Sequence, residues 1–367
     1  MKKKILIFGA GAIGRGYLPW LIDNNRVELN YVETNQKIIQ SLKKGFFYTL
    51  KIKKQKYISK KVFINKTYNF KDIKKFINDF DLIVLCAGPR NVKNIASYLL
   101  NYKNNILILE NDINIKTYLK NILKTKKIFF GIPDVISSNT SSKVIRKKYG
   151  NDTLFTEDGE CFIEKGLEQY FKYAKFVNNK ELLKQWLCKL YLHNTVHCIM
   201  AYIGHLKKFN FIHEISNTSY AINFLRKCFF EIQKFLVKYY KIPLKDLKKY
   251  SAKEISRFRN KLLFDPIERV AREPFRKLAI DERLVGAANK CLSSGVYPYH
   301  LCMGIFFAFY YFNRKDQDFN IYYLRSSLDK ENFLEIVIGL RQGEPLYDFM
   351  IKNWQEYKKE LKKIKKN

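Results

Sequence analysis

An apolar run, Ile5-Leu6-Ile7-Phe8, passes directly into Gly9-Ala10-Gly11-Ala12-Ile13-Gly14, with Arg15-Gly16 beyond it. A strand that ends in a G-x-G-x-x-G turn and opens a helix can belong to few folds. The first glycine permits the tight turn, the second lets the backbone approach a pyrophosphate, and the third lets helix lie close on strand. The helix N-terminus then offers unpaired N–H groups to the phosphates. Placed between strand and helix, the motif predicts the first βαβ unit of a doubly wound, mainly parallel sheet, with cofactor contacts running from Ile5 to Gly16. A strand-like VELNYV (27–32) follows, and Glu33 ends it, about twenty residues past the glycines as the dinucleotide fold requires. A carboxylate there accepts hydrogen bonds from ribose hydroxyls and repels a 2′-phosphate, so the expected cofactor is NAD rather than NADP. Asn35 and Lys37 come next and would soften that repulsion.

The pattern continues with a helix over 35–44, a lysine-rich β section over 46–66 and a helix near 71–79. Two buried strands follow, DLIVLCAG (81–88) and ILILEN (106–111). Alternation of buried strands and helices implies an α/β Rossmann domain. The pattern breaks into short strand-like pieces at 150–165 and becomes helical from 166. A chain of 367 residues with 47% hydrophobic residues has ample material for two packed cores. The expected domains are 1–165, binding NAD, and 166–367, mostly α-helical and carrying substrate and catalysis.

Charge and cysteine content exclude several alternatives. The 68 basic residues exceed the 34 acidic ones, for a net charge of +34, which in a focused patch would suggest nucleic acid. Here the lysines are spread along the chain. Their abundance matches that of asparagine, isoleucine, phenylalanine and tyrosine, as A/T-rich codons would produce, so no nucleic-acid partner is expected. The first apolar run is too short for a signal peptide, and Leu301 to Phe312 is too short to cross a membrane. A cytoplasmic protein, monomeric or a small homo-oligomer, with no membrane partner, is expected. Seven scattered cysteines without a C-x-x-C pair read as reduced thiols, not as metal ligands.

Glu110-Asn111 ends a buried strand, where ligands of doubly wound folds sit. In the helical half, Lys189, Asn194 and His197 form K-x4-N-x2-H. On an α-helix at about 100° per residue they fall at roughly 0°, 140° and 80°, one side of the helix. Polar groups among Leu190, Leu192, Val196 and Ile199 are costly unless satisfied or used. A lone lysine there would as readily be a snorkelling surface residue; its Asn and His companions favour a site. His193 lies one turn from Lys189 and reads as structural. The Y-x3-K from Tyr57 to Lys61 lies too early for a short-chain dehydrogenase.

Taken in order, GAGAIGRG, ENDI, KLYLHNTVHCIMAYIG and RFRNKLLFDPIERVAREPFRKL resemble the polyol-specific long-chain dehydrogenases, the mannitol dehydrogenase family, over nearly the whole chain. The resemblance implies metal-independent, NAD-dependent oxidation of a sugar alcohol. The modest length favours a phosphorylated one, mannitol 1-phosphate, over free polyols or keto-uronates. It makes Lys189 the general base, Asn111 and Asn194 donors to the reacting oxygen, and His197 the residue that orients a substrate hydroxyl. To act as base Lys189 must be neutral, which burial would favour. Four positions depart from the family pattern. Ala12 replaces an asparagine, Val196 a glycine and Lys261 a proline, while Trp186 stands where longer relatives carry a carboxylate. In the basic stretch from Arg257, the spacing pairs Glu268 with Arg272 and Glu273 with Lys277. Arg257 and Lys261 are the expected phosphate ligands.

Overall fold

The computed structural model describes residues 1–123, 127–138, 143–150, 153–316, 318 and 327–366. The chain divides into two compact units, Met1–Gln185 and Trp186–Asn367. The division comes after Gln185 rather than near residue 165, because a strand at Lys175–Val177 pairs with Glu160–Glu164 and extends the first unit's sheet.

The first unit contains β1 (Lys3–Phe8), β2 (Val27–Glu33), β3 (Phe46–Lys53), β4 (Lys56–Phe63), β5 (Lys66–Asn69), β6 (Leu82–Leu85), β7 (Asn105–Ile108), β8 (Ile128–Asp134), β9 (Ser137–Ser138), β10 (Leu154–Glu157), β11 (Glu160–Glu164) and β12 (Lys175–Val177). Among the described residues these form an eight-stranded sheet, ordered β12-β11-β8-β7-β6-β1-β2-β5, and a four-stranded sheet, β4-β3-β10-β9. The large sheet is parallel except where β11 meets β8. Its central strands are apolar throughout because both faces are covered: Ile5, Leu6, Ile7, Leu82 to Leu85 and Ile106 to Ile108 are fully buried. β1 lies between β2 and β6, so the chain leaves it to both sides. Such a reversal point opens a ligand crevice beyond the strands' carboxyl ends.

Two helical expectations fail in this unit. The stretch after the glycine turn is a π-helical turn, Ala12–Tyr17, followed by a 3-10 turn, Leu18–Trp20, that contains Pro19. It ends at Trp20, short of the longer helix that the turn was expected to open. Residues 71–79 form two 3-10 turns, Ile73–Lys75 and Ile77–Asp79. The other helices here are α1 (Gln36–Leu42), α2 (Val92–Ala96), α3 (Asn114–Ile122) and α4 (Lys143–Tyr149).

Next come α5 (Asn179–Leu187), a π-helical stretch (Cys188–Thr195) and α6 (Val196–Leu206), joined without a break. The second unit continues with α7 (Ile212–Ser216), α8 (Ser219–Tyr240), α9 (Leu244–Phe258), α10 (Ile267–Ala271), α11 (Pro274–Leu278), α12 (Val285–Ser293), α13 (Tyr299–Phe309) and a final helix, Pro345–Lys366. Residues 196–203 of α6 and 301–309 of α13 are buried, as helices apolar on every face must be. The final helix, although rich in lysine, packs inward: Trp354, Tyr357, Leu361 and Ile364 join the core. Among the described residues no helix is long and apolar enough to cross a membrane. None of the seven cysteines is in a disulfide.

Candidate active site

In the first unit the glycine turn is built as its spacing requires. Gly9 has φ +101°, and a Cβ there would lie 2.6 Å from the Cys86 carbonyl oxygen. A Cβ on Gly14 would lie 2.0 Å from the Gly9 carbonyl oxygen, whereas one on Gly11 would meet nothing within 4 Å. Two glycines thus serve close packing, and the third faces open space where a pyrophosphate fits. Side chains brace the turn from behind. Arg15 Nε donates to the Ala10 carbonyl (2.6 Å), Tyr31 hydroxyl to the Gly14 carbonyl (2.9 Å) and Ser137 hydroxyl to the Ala12 carbonyl (2.9 Å). Arg15 and the strand residues Ile5, Leu6, Ile7 and Phe8 are all buried. They place the turn rather than present side chains to a ligand.

Glu33 stands at the end of β2 beside this turn. One carboxylate oxygen accepts from the Ala10 N–H (3.0 Å), the other from the N–H groups of Thr34 (2.8 Å) and Asn35 (3.0 Å). The Asn35 side chain caps α1 by accepting from the Lys37 N–H. Asn111 lies exposed in the bend after β7. Its neighbour Glu110 is buried and accepts from the Gly88 N–H (2.8 Å).

Lys189 and Asn194 lie on the π-helical stretch of the second unit, and His197 in the first turn of α6. The α-helical geometry read from the sequence is therefore corrected. In a π-helix the hydrogen bond spans five residues, the separation of Lys189 and Asn194, so the wider turn brings this pair closer in rotation than about 140°. Lys189 is 5% exposed and His197 6%. Asn194 Nδ2 is buried without a hydrogen-bond partner among the described residues. A buried orphan donor is costly and marks a place where a ligand acceptor fits.

Carboxylates that the sequence reading missed face both histidines of this segment. His193 Nδ1 lies 2.5 Å from Oε2 of Glu254, which is completely buried on α9, and Arg257 Nη1 donates to the other oxygen (2.5 Å). The Phe258 ring stacks on His197, 4.9 Å between centroids and 19° between planes. His197 Nε2 lies 2.9 Å from Asp265 Oδ2, although the contact is bent away from a well-formed hydrogen bond. Arg269 Nε (3.0 Å) and Nη2 (2.5 Å) hold the other Asp265 oxygen. Burial pushes the Asp265 carboxyl up, but Arg269 and His197 outweigh it and hold the group below the usual carboxylate range. The Asp-Pro step in FDPIER was the only sequence signal for Asp265.

The basic stretch is organised differently from its spacing. Neither expected pair, Glu268 with Arg272 or Glu273 with Lys277, is an ion pair, because α10 ends at Ala271 and Arg272 turns to extended backbone. Instead Arg276 Nε pairs with Glu273 (2.6 Å). Lys277 is buried and donates to the carbonyls of Val270 (2.5 Å) and Arg272. Arg257 is buried against Glu254, while Lys261 is exposed. Among the described residues no group of three or more His, Cys, Asp or Glu side chains is gathered as metal ligands.

A Rossmann sheet with a braced glycine turn, followed by a helical unit holding a buried lysine beside an orphaned amide and a histidine, defines a two-domain dehydrogenase of the dinucleotide-binding class. The model of the mannitol dehydrogenase Rossmann domain matches residues 3–120, and that of the mannitol dehydrogenase C-terminal domain matches 182–337. The chain belongs to the mannitol dehydrogenase family. It is 29% identical to a mannitol-1-phosphate 5-dehydrogenase from Thermoanaerobacter pseudethanolicus, over 98% of this chain and 99% of that one. It is also 29% identical to the enzyme of that name from Buchnera aphidicola, over 92% and 93% respectively. Among solved structures it resembles mannitol 2-dehydrogenase of Pseudomonas fluorescens, determined with NAD and D-mannitol, at TM-score 0.76 and 12% identity over 100% of this chain and 93% of that one. A D-sorbitol dehydrogenase matches at TM-score 0.69 and 15% identity, with the same coverage. At such identities the structural likeness is one of fold.

Proposed function

We propose that this chain interconverts mannitol 1-phosphate and fructose 6-phosphate with NAD, using Lys189 as general base and no metal. The observation that carries the reading is the buried Lys189 and His197 with the half-buried Asn194 on one continuous helical segment, the Asn194 Nδ2 lacking a partner among the described residues. The relatives named for this substrate, aligned almost end to end, support it. NAD, when bound, supplies the hydride acceptor. The glycine turn would take its pyrophosphate and Glu33 its ribose hydroxyls, to the disadvantage of a 2′-phosphate.

Lys189 receives the hydroxyl proton as the carbon is oxidised, and returns it in the reduction. Asn194 donates its orphaned N–H to the oxygen as that oxygen gains negative charge, and the same role falls to Asn111. His197 binds and orients a neighbouring hydroxyl. Lys261 is the open cation of the two expected phosphate ligands, whereas Arg257 shares its charge with Glu254. We place the enzyme in the cytoplasm as a monomer or small homo-oligomer, without a nucleic-acid partner.

The test is NADH formation with mannitol 1-phosphate, sorbitol 6-phosphate and free mannitol. Free mannitol should be poorer in kcat/KM by at least roughly a hundredfold, about 2.7 kcal/mol, the worth of charge-assisted hydrogen bonds to a phosphate. A ratio near one would assign the chain to unphosphorylated polyols.

A further inference from the structure

We infer that Asp265 is a positioning residue that sets the tautomer of His197, keeping the proton on Nε2 and leaving Nδ1 as the acceptor for a substrate hydroxyl. The inference rests on the reading of His197 as the residue that orients the substrate.

A neutral imidazole has one N–H and one lone pair, and the partner of one nitrogen decides the role of the other. An ionised carboxylate can only accept. Asp265 Oδ2 stands 2.9 Å from His197 Nε2, bent away from a well-formed hydrogen bond, and a carboxylate at that distance favours the hydrogen on that nitrogen over a lone pair. Nδ1 has no partner among the described residues. With Asn194 Nδ2 also unpartnered and buried, this segment offers one donor and one acceptor three residues apart, neighbours on a helical surface. Adjacent hydroxyls of a polyol need that combination, since one can accept while the next donates.

The arrangement is held from several directions. The Asp265 carbonyl accepts from the Ile212 N–H (3.0 Å), and the Ile267 N–H donates to the Asn210 carbonyl (2.9 Å), pinning the turn on both sides. Phe264 before it sits in the left-handed region at φ +42°, a strained conformation for a bulky residue that persists only where the surroundings impose it. Arg269 keeps Oδ1 occupied, so Oδ2 is the oxygen turned to His197. Phe258 fixes the ring plane. His193 lies 5.0 Å from His197 between ring centroids, and behind it Glu254 and Arg257 of α9 pair with His193 and with each other.

Asp265→Asn reverses the device without changing its shape. Arg269 claims the amide oxygen, the NH₂ faces Nε2, and the imidazole proton should move to Nδ1, as when the carboxylate behind a catalytic histidine is replaced. Protein labelled with ¹⁵N-histidine shows which nitrogen is protonated, and His197→Gln identifies the signal. The expected result is Nε2–H in the parent chain and Nδ1–H in Asp265→Asn; an unchanged His197 tautomer overturns the inference, whether or not any polyol is turned over. In kinetics, Asp265→Asn should raise KM for mannitol 1-phosphate roughly tenfold while KM for NAD stays constant. Asp265→Glu should recover part of the loss. Because Asp265 acts through His197, the Asn substitution should add nothing in a His197→Gln background. Full multiplicativity there would mean that Asp265 contacts substrate itself and is no positioning residue. Parent protein that oxidises no sugar alcohol would overturn the functional reading, leaving the spectra to decide on Asp265.

Discussion

Replacing Lys189 with alanine removes a buried amine from the π-helical stretch. Turnover should fall by roughly 10²–10⁴, the usual worth of a positioned acid–base group. NAD affinity, measured by fluorescence titration, should persist because the glycine turn and Glu33 lie in Met1–Gln185. Near-normal turnover in folded Lys189→Ala protein would sink the assignment of the base. The turn at Gly9 and Gly14 and the place of Glu33 at the end of β2 were legible because each belongs to a short pattern whose spacing has a physical meaning. Glu254 and Asp265 were not. The first meets His193 across 61 residues of sequence, and no local pattern announces such a partner. Arg257 illustrates the opposite error: a cation that looked available to a phosphate is paired with a carboxylate visible only in three dimensions.

Among elements, the central strands of the large sheet could be read because both faces are covered and their apolar runs are continuous. Strand β12 is only three residues long, inside a stretch expected to be helical, and is found only through its pairing with β11. Helix type was not legible either, since apolar periodicity over so few residues does not separate an α-turn from a π-turn or a 3-10 turn. The junction of α10 and α11 gives an element-scale prediction. Lys277 reaches back to carbonyls at the end of α10, and burial pushes its ammonium down to about 7. An unfolded lysine keeps its proton to about 10.5, so between pH 7 and that value the unfolded chain binds more protons and folding gains as pH rises. Below pH 7 both states are protonated and the gain is gone. In urea denaturation, the stability of the parent chain relative to Lys277→Met should therefore rise from pH 7 to pH 9. A difference that does not vary with pH would refute the neutral, buried lysine.

For the whole molecule, the net charge of +34 supplies a long-range field and no fold information. The substrate proposed here is an anion, so the field should act on its capture. Between ionic strengths of about 0.01 M and 0.15 M the screening length shrinks from about 30 Å to about 8 Å. Over that range KM for mannitol 1-phosphate should rise several-fold, with kcat little changed, while free mannitol shows no such trend. A salt-independent KM for the phosphorylated substrate would remove the field from the account. The two-unit plan followed from the sequence, but its boundary did not, because residues 166–185 hold a strand and a helix with no composition break between them.

The widened turn at Cys188–Thr195 also has a consequence for the length of the chain. A π-turn accommodates an additional residue without interrupting the helix. Deleting one residue between Lys189 and Asn194 would let the stretch tighten toward the commoner α geometry, with good backbone bonding and every named side chain still present. Four residues of α-helix cover about 400°, so the lysine and the amide would still lie one turn apart, within about 40° around the axis, much as the five-residue turn now leaves them. In this stretch the wider turn absorbs one residue, and a chain shortened there would gain a more regular helix while keeping the lysine and the amide one turn apart.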